Sequence, residues 1–250
     1  MSSYAHRMYE DYARARPGCI APVTPADLLR RQLPTFEKRL ARFLPPSKDA
    51  AILDVGCGYG EFLYFLQERG YRNTAGVDLD ACEVQTARRL GVRNVVCGAA
   101  AGFLSESDRQ FDFISMLDVL EHVPKDEVLP LLALIHGALR PGGSFVCQVP
   151  NLAAFFTPLF YMDFSHETPF TATSLKQVLE LAGFQSPHVF PMGPVAHGLV
   201  SATRVVLWKI ITACLRGVQT IEGGSRDPLS SIYSAAILGV AEKNRVGWRI

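Results

Sequence analysis

The sequence has no basic stripe, no paired cysteines and no long apolar run, and each absence excludes a class of protein. With 25 Lys and Arg against 24 Asp and Glu, the formal net charge is +1. Basic residues gather only in short pairs such as Arg30-Arg31 and Arg88-Arg89, so nucleic acid is not expected as a partner. The cysteines, at 19, 57, 82, 97, 147 and 214, make no C-x-x-C pair. Three of them lie in or beside apolar runs, so we expect buried free thiols in a reducing compartment. The histidines are scattered, and no metal site is expected. No uninterrupted apolar run reaches the roughly 18 residues of a spanning helix. The opening stretch, "MSSYAHRMYEDYARARPG", lacks the apolar core of a signal peptide. A cytoplasmic location is the expectation. Internal repeats and low-complexity tracts are absent as well.

What the chain does have is a regular alternation of strand and helix signals from about residue 50 to 150. "AAILDV" is an apolar run ending in glycines. "EFLYFLQERG" follows as a helix with Phe62, Leu63 and Leu66 on one face and Gly70 at its end. "TAGVDL", "NVVCG", "FDFISML" and "SFVCQVP" read as further strands. "ACEVQTARRLG" and "VLPLLALIHGALRPGG" are the helices between them, the latter stopped by Pro141 and two glycines. Strands that are continuously apolar fit a parallel sheet covered on both faces. Later come a helix, "TSLKQVLELAGF", with Thr173 as its cap, a strand around 186 to 192, and a last strand in "SIYSAAILGVAE". That late seventh strand should pair antiparallel to the others. We expect residues 1–45 as a helical lid segment and 46–250 as the main domain, interrupted by an insertion over 195–228.

In "ILDVGCGYGEF", Gly56, Gly58 and Gly60 follow the first strand and open the first helix. Glycine allows positive φ and lets a ligand approach the backbone. The spacing is G-x-G-x-G, whereas the dinucleotide fingerprint is G-x-G-x-x-G with a pyrophosphate at the helix N-terminus. Glu61 at that N-terminus repels a phosphate. A nicotinamide-dependent oxidoreductase is therefore disfavoured. A nucleoside carrying a positive or zwitterionic tail suits this bend better. Asp78 ends the second strand, where a carboxylate can accept from two ribose hydroxyls.

The motifs "DVGCGYG", "GVDLD", "FDFISMLDVLEHV" and "LRPGG", taken in order, resemble those of the class I S-adenosylmethionine-dependent methyltransferases. The resemblance implies a Rossmann-like, doubly wound α/β sheet of seven strands, mostly parallel with an antiparallel last strand, and S-adenosylmethionine as cofactor. It implies that Asp54, Gly56, Cys57, Gly58 and Gly60 surround the methionine portion, and that Asp78 holds the ribose with Leu79 near the adenine. Ala99 and Ala100 stand at the adenine, where the family often has an acidic residue. Leu117 and Asp118 would border the methionine side.

Methyl transfer to a hydroxyl needs alignment and a place for the departing proton, for which histidine is suited near neutral pH. His122 lies in "DVLEHV"; Asp163 and His166 lie in "YMDFSHETPFTATSL", whose polar density marks an active-site rim rather than a core. We expect His166 as the base, oriented by Asp163, with His122 as the alternative. The bland reading of His166 is a cap on the following helix. His136, His188 and His197 are read as structural. Tyr4, His6, Tyr9 and Tyr12 fall in the lid segment. "D-x-x-H" followed by "PFT" resembles the subset of these enzymes acting on sugars and polysaccharides, or on quinone precursors. The acceptor expected is a sugar hydroxyl of a cell-surface glycan. The alternatives are a quinone precursor, a small aromatic or lipid, or a catalytically silent cofactor-binding subunit.

Within the insertion, residues 199–219 place Ser201, Arg204, Lys209, Thr212 and Arg216 in one helical arc, with Val206, Leu207, Ile210, Ile211, Cys214 and Leu215 outside it. Protein packing, including a homodimer contact, is favoured over peripheral membrane contact. The interfacial-helix pattern keeps the latter open.

Overall fold

The computed structural model describes residues 32–106, 108–156, 159–196, 198–224 and 228–244. Seven strands form one sheet in the order β3-β2-β1-β4-β5-β7-β6. They are β1 (Ile52–Val55), β2 (Thr74–Asp78), β3 (Val95–Cys97), β4 (Phe111–Leu117), β5 (Leu139–Pro150), β6 (Gln185–Pro191) and β7 (Ala236–Glu242). The first five run parallel, and β7 pairs antiparallel with both β5 and β6. The sheet expected from the sequence is thus the sheet observed, including the direction of its last strand.

Helices cover both faces because alternate strand residues supply two separate cores. Leu53, Ile114 and Phe145 face one cluster, closed by α4 (Ala100–Ser105), α5 (Lys125–Ala138) and α6 (Ala172–Leu181). Ile52, Phe113 and Val146 face the other, closed by α2 (Glu61–Glu68) and α3 (Ala81–Arg89). A short N-terminal helix, α1 (Leu33–Arg39), rests on this second face. Its Phe36 ring lies 5.3 Å from Phe62 and 5.6 Å from Phe65. Burying an aromatic or aliphatic side chain of this kind stabilises the fold by about 1.5–3 kcal/mol.

Several local expectations are revised. The α6 cap is Thr171, not Thr173. Thr171 Oγ1 accepts from Ser174 N at 3.2 Å while Ser174 Oγ accepts from Thr171 N at 2.9 Å. This reciprocal pair satisfies two orphan groups and outweighs a later threonine. The run "LRPGG" belongs to β5 rather than to a helix end, since Leu139 pairs with Phe111 across an irregular register. Residues 231–235 precede β7 instead of forming part of it. Cys57 and Cys147 are buried as expected, but Cys82, Cys97 and Cys214 are exposed. Cys97 is exposed because β3 is the edge strand, with only β2 beside it. The lid tyrosines and His6 lie outside the described residues. No helix among the described residues is long and apolar enough to cross a membrane.

The insertion forms a single helix, α7 (Leu199–Gly223), with no buried residue. Its apolar side is exposed, and none of the described residues supplies the packing expected of that side. Trp208 and Gln219, on the opposite side, hold it to the body.

Candidate functional site

A cleft of about 910 Å³ opens at the C-terminal ends of β1, β2 and β4, where a parallel sheet turns its loops toward a ligand. Asp54, Gly56, Cys57, Gly58, Asp78, Leu79, Ala99, Ala100, Leu117, Asp118, His122, Asp163 and His166 all line it. Nearly every residue singled out in the sequence therefore meets in one place.

Gly60 is the exception. It takes φ +84 as the left-handed N-cap of α2, and a Cβ there would sit 2.9 Å from Val92 Cγ2. Its missing side chain makes room for the core, not for a ligand. Gly58 differs: its φ is +51, and a Cβ would meet nothing nearer than Glu83 Oε2 at 4.0 Å. That leaves its backbone open to the cleft.

The acids are fixed by the backbone around them. Asp78 accepts from Gly58 N at 2.7 Å on one oxygen and from Asp80 N at 2.8 Å on the other, tying the glycine bend to the end of β2. Asp54 is buried at 3% exposure and accepts from Ser115 Oγ at 2.7 Å. Burial raises its pKa to about 7; the Ser115 bond works against the rise and the nearby Asp78 charge adds to it. Asp118 holds a positive φ of 54° and accepts from Gln148 Nε2 at 2.8 Å. Burial also raises the Cys57 thiol well above its usual range, with Asp54 adding to it, so this residue is not a nucleophile.

Arg39 is a residue that the sequence reading missed. It reaches the cleft from α1, donates to the Gly193 carbonyl at 2.6 Å, and lies in the field of Asp118. Burial lowers its pKa, and Asp118 opposes that. Its only sequence signal was an arginine in a helical stretch before the first strand, which no local pattern separates from a surface charge.

The histidine rim is arranged differently from expectation. Asp163 Oδ1 accepts from Ser165 Oγ at 2.6 Å, and Ser165 Oγ lies 2.9 Å from His122 Nδ1. Since the serine proton goes to the carboxylate, Ser165 can only accept from His122. The Ser165 carbonyl, 3.4 Å from the same nitrogen, demands the same tautomer. His122 thus carries its proton on Nδ1 and presents its lone pair at Nε2. Asp163 meets His122 through Ser165, and meets His166 through the backbone, where His166 N donates to the Asp163 carbonyl at 3.4 Å. The His166 ring is set by the Phe160 carbonyl, 2.8 Å from its Nδ1, and by Glu121, 3.9 Å from its Nε2. His166 does not cap α6, a role that belongs to Thr171. Glu121 is buried at 1% exposure. The ligand atoms of Glu121, His122 and His166 lie within 4.8 Å of one another, a spacing that could hold a metal ion where none was expected. Ser165 and Glu121 both lie inside stretches that the sequence marks, but no local pattern gives Ser165 a task; a contact over 43 residues joins it to His122.

The cleft fits an S-adenosyl nucleoside. Gly58 offers uncovered backbone, Asp78 a doubly anchored carboxylate, and Ala99 and Ala100 space for a ring. Arg39 and Asp118 set one charge of each sign beside the glycine bend, matching an amino-acid tail. Residues 28–189 match the family model described as a methyltransferase domain, and the chain belongs to that family. The class expected from the sequence, an S-adenosylmethionine-dependent methyltransferase, is the class that the family match and the shared fold return. Among curated relatives, a ubiquinone biosynthesis O-methyltransferase of Xylella fastidiosa is 35% identical over 117 residues, covering 44% of this chain and 46% of that protein. The match thus spans less than half of that relative's length. Among solved structures, a SAM-dependent methyltransferase from Archaeoglobus fulgidus has a TM-score of 0.61 at 22% identity, covering 95% of this chain and 99% of that one. A phosphoethanolamine N-methyltransferase 2 of Haemonchus contortus, in complex with S-adenosyl-L-methionine, also has a TM-score of 0.61, at 16% identity, covering 94% of this chain and 60% of that one. At these identities the structures speak for the fold alone.

Proposed function

We propose that this chain methylates a hydroxyl on an aromatic acceptor of the quinone-precursor kind, with His122 as general base. The Asp163–Ser165–His122 relay on the cleft rim is the observation that carries this reading. When bound, S-adenosylmethionine supplies the electrophilic methyl group. Gly58 and Asp78 would hold its nucleoside, and Arg39 would meet its carboxylate. His122 Nε2 takes the proton of the acceptor hydroxyl. The positive charge left on the ring is stabilised by Asp163 acting through Ser165.

The glycan acceptor expected from "D-x-x-H" finds no support among the relatives, whose names favour the quinone alternative. The cleft is consistent with that choice. On the side of β5 and β7 its walls are Gln148, Pro150, Leu159, Met192, Ala235 and Ala236, a mostly apolar set that offers an aromatic ring contact.

His122→Ala should lower kcat by roughly 10²–10⁴-fold with a catechol acceptor. Calorimetry should find its affinity for S-adenosylhomocysteine unchanged. A fully active variant removes the base assignment. Methylation of free sugars with none of phenols restores the glycan reading.

A further inference from the structure

Among the described residues, two segments carry most of the large apolar side chains left in solvent. On α7, Val206, Leu207, Ile210, Val218 and Ile221 are each more than half exposed, between 53% and 87%. At about 100° per residue they form one continuous outward stripe. The helix is fixed by its other side: Gln219 donates to Ser230 Oγ at 2.8 Å and accepts from Tyr233 Oη at 2.6 Å. A surface helix ordinarily turns its apolar side to the core, so this arrangement is inverted. The second segment is the loop after β5, where Phe155, Phe156, Tyr161 and Phe164 are at least 61% exposed. The Phe156 ring lies 6.4 Å from Trp208, on the body-facing side of α7, so the loop lies beside the helix. Exposed apolar surface on this scale marks an interaction face.

Charge identifies the occupant. The helix has Arg204, Lys209 and Arg216 against one acidic residue, Glu222, in its last turn. Arg204 flanks one edge of the stripe. Lys209 and Arg216, two turns apart, lie past the other edge. There they line a groove of about 360 Å³ together with Lys38, Arg39 and Arg42, and no carboxylate is among its lining residues. A second copy pairing through this stripe would set three cations of each helix against a single acid, Glu222. An anionic lipid surface answers both features at once.

We propose that α7 and the exposed rings of Phe155, Phe156, Tyr161 and Phe164 dock this protein onto the surface of a bilayer rich in anionic phospholipid. The apolar stripe enters the boundary between headgroups and acyl chains, and the flanking cations meet lipid phosphates. The helix lies on the bilayer and does not cross it. Phe164 sits between Asp163 and Ser165 on the cleft rim, so docking brings the mouth of the cleft to the lipid.

Co-sedimentation of the full chain with two kinds of vesicle tests this, one of phosphatidylcholine alone and one with about 30% phosphatidylglycerol added. The chain should sediment with the anionic vesicles, and about 0.5 M salt should release much of it. Ile210→Asp and, independently, Val218→Asp should each weaken capture at least tenfold. Lys209→Glu combined with Arg216→Glu should remove the preference for anionic lipid. Each variant should bind S-adenosylhomocysteine like the parent, which separates failure of docking from failure of the enzymatic reading. Equal capture by uncharged vesicles, no capture by either, or full capture of both aspartate variants overturns the proposal. So does a dimer in analytical ultracentrifugation that Ile210→Asp dissociates while vesicles leave the parent in solution.

Discussion

At the scale of single residues, the buried carboxyl of Asp54 makes stability depend on pH. Its pKa in the fold is about 7 against an ordinary 3.8, so between those values the folded chain holds a proton that the unfolded chain releases. Stability from this group is present below about pH 4 and lost as pH rises through about 7. The whole effect is on the order of a few kcal/mol. Urea denaturation of the ligand-free protein should therefore show Asp54→Asn stabilised relative to the parent at pH 8, with the gap closing toward pH 5. A parent and variant with parallel pH profiles contradict this. Ser165 allows a second check, because it acts through His122 without touching the acceptor. Ser165→Ala should lower kcat about tenfold at unchanged KM and shift the rising limb of the pH–rate profile, while Ser165→Thr should restore most of both. An unshifted profile reduces the serine to a loop tie. The sequence marked Asp163 and His122 individually, but their connection depends on two loops meeting in space. No spacing in the chain encodes that, so no local pattern offers ground for joining these two residues.

At the scale of elements, the glycine bend divides its labour between two positions that look alike in the sequence. Gly60→Ala should cost about 1–3 kcal/mol, from a left-handed φ and the approach to Val92, and leave affinity for S-adenosylhomocysteine in the surviving folded protein unchanged. Gly58→Ala pays a similar backbone cost but should weaken ligand binding by at least tenfold, since its Cβ points into open cleft. Urea midpoints and calorimetry on the two variants separate these outcomes; equal affinity losses would erase the distinction. Thr171→Ala should destabilise by about 1 kcal/mol through the lost reciprocal cap. The elements were legible because their apolar periodicity is strong: β1 is buried along its whole length, and α2 buries Phe62, Leu63, Phe65 and Leu66. Their ends were less so. "LRPGG" reads as a helix stop from composition, yet pairing with Phe111 draws it into β5. The orientation of α7 was also hidden, because a helical arc shows which residues share a side but not which side meets the body.

At the scale of the whole molecule, the parallel sheet and the antiparallel direction of its last strand could be anticipated from the strand signals and the late seventh strand, while the acceptor could not. The cleft walls proposed to meet the acceptor come from β5, β7 and the link after β6, which are far apart in the chain. The order β5-β7-β6 has one more consequence. On the ribosome, β6 emerges some 45 residues before the strand that alone holds it in the sheet, with the whole of α7 in between. The nascent chain must therefore carry a ready-made half-sheet with an unzipped seam until β7 has been made. Chains cut off before that seam closes are the ones a cell's quality control should meet most often.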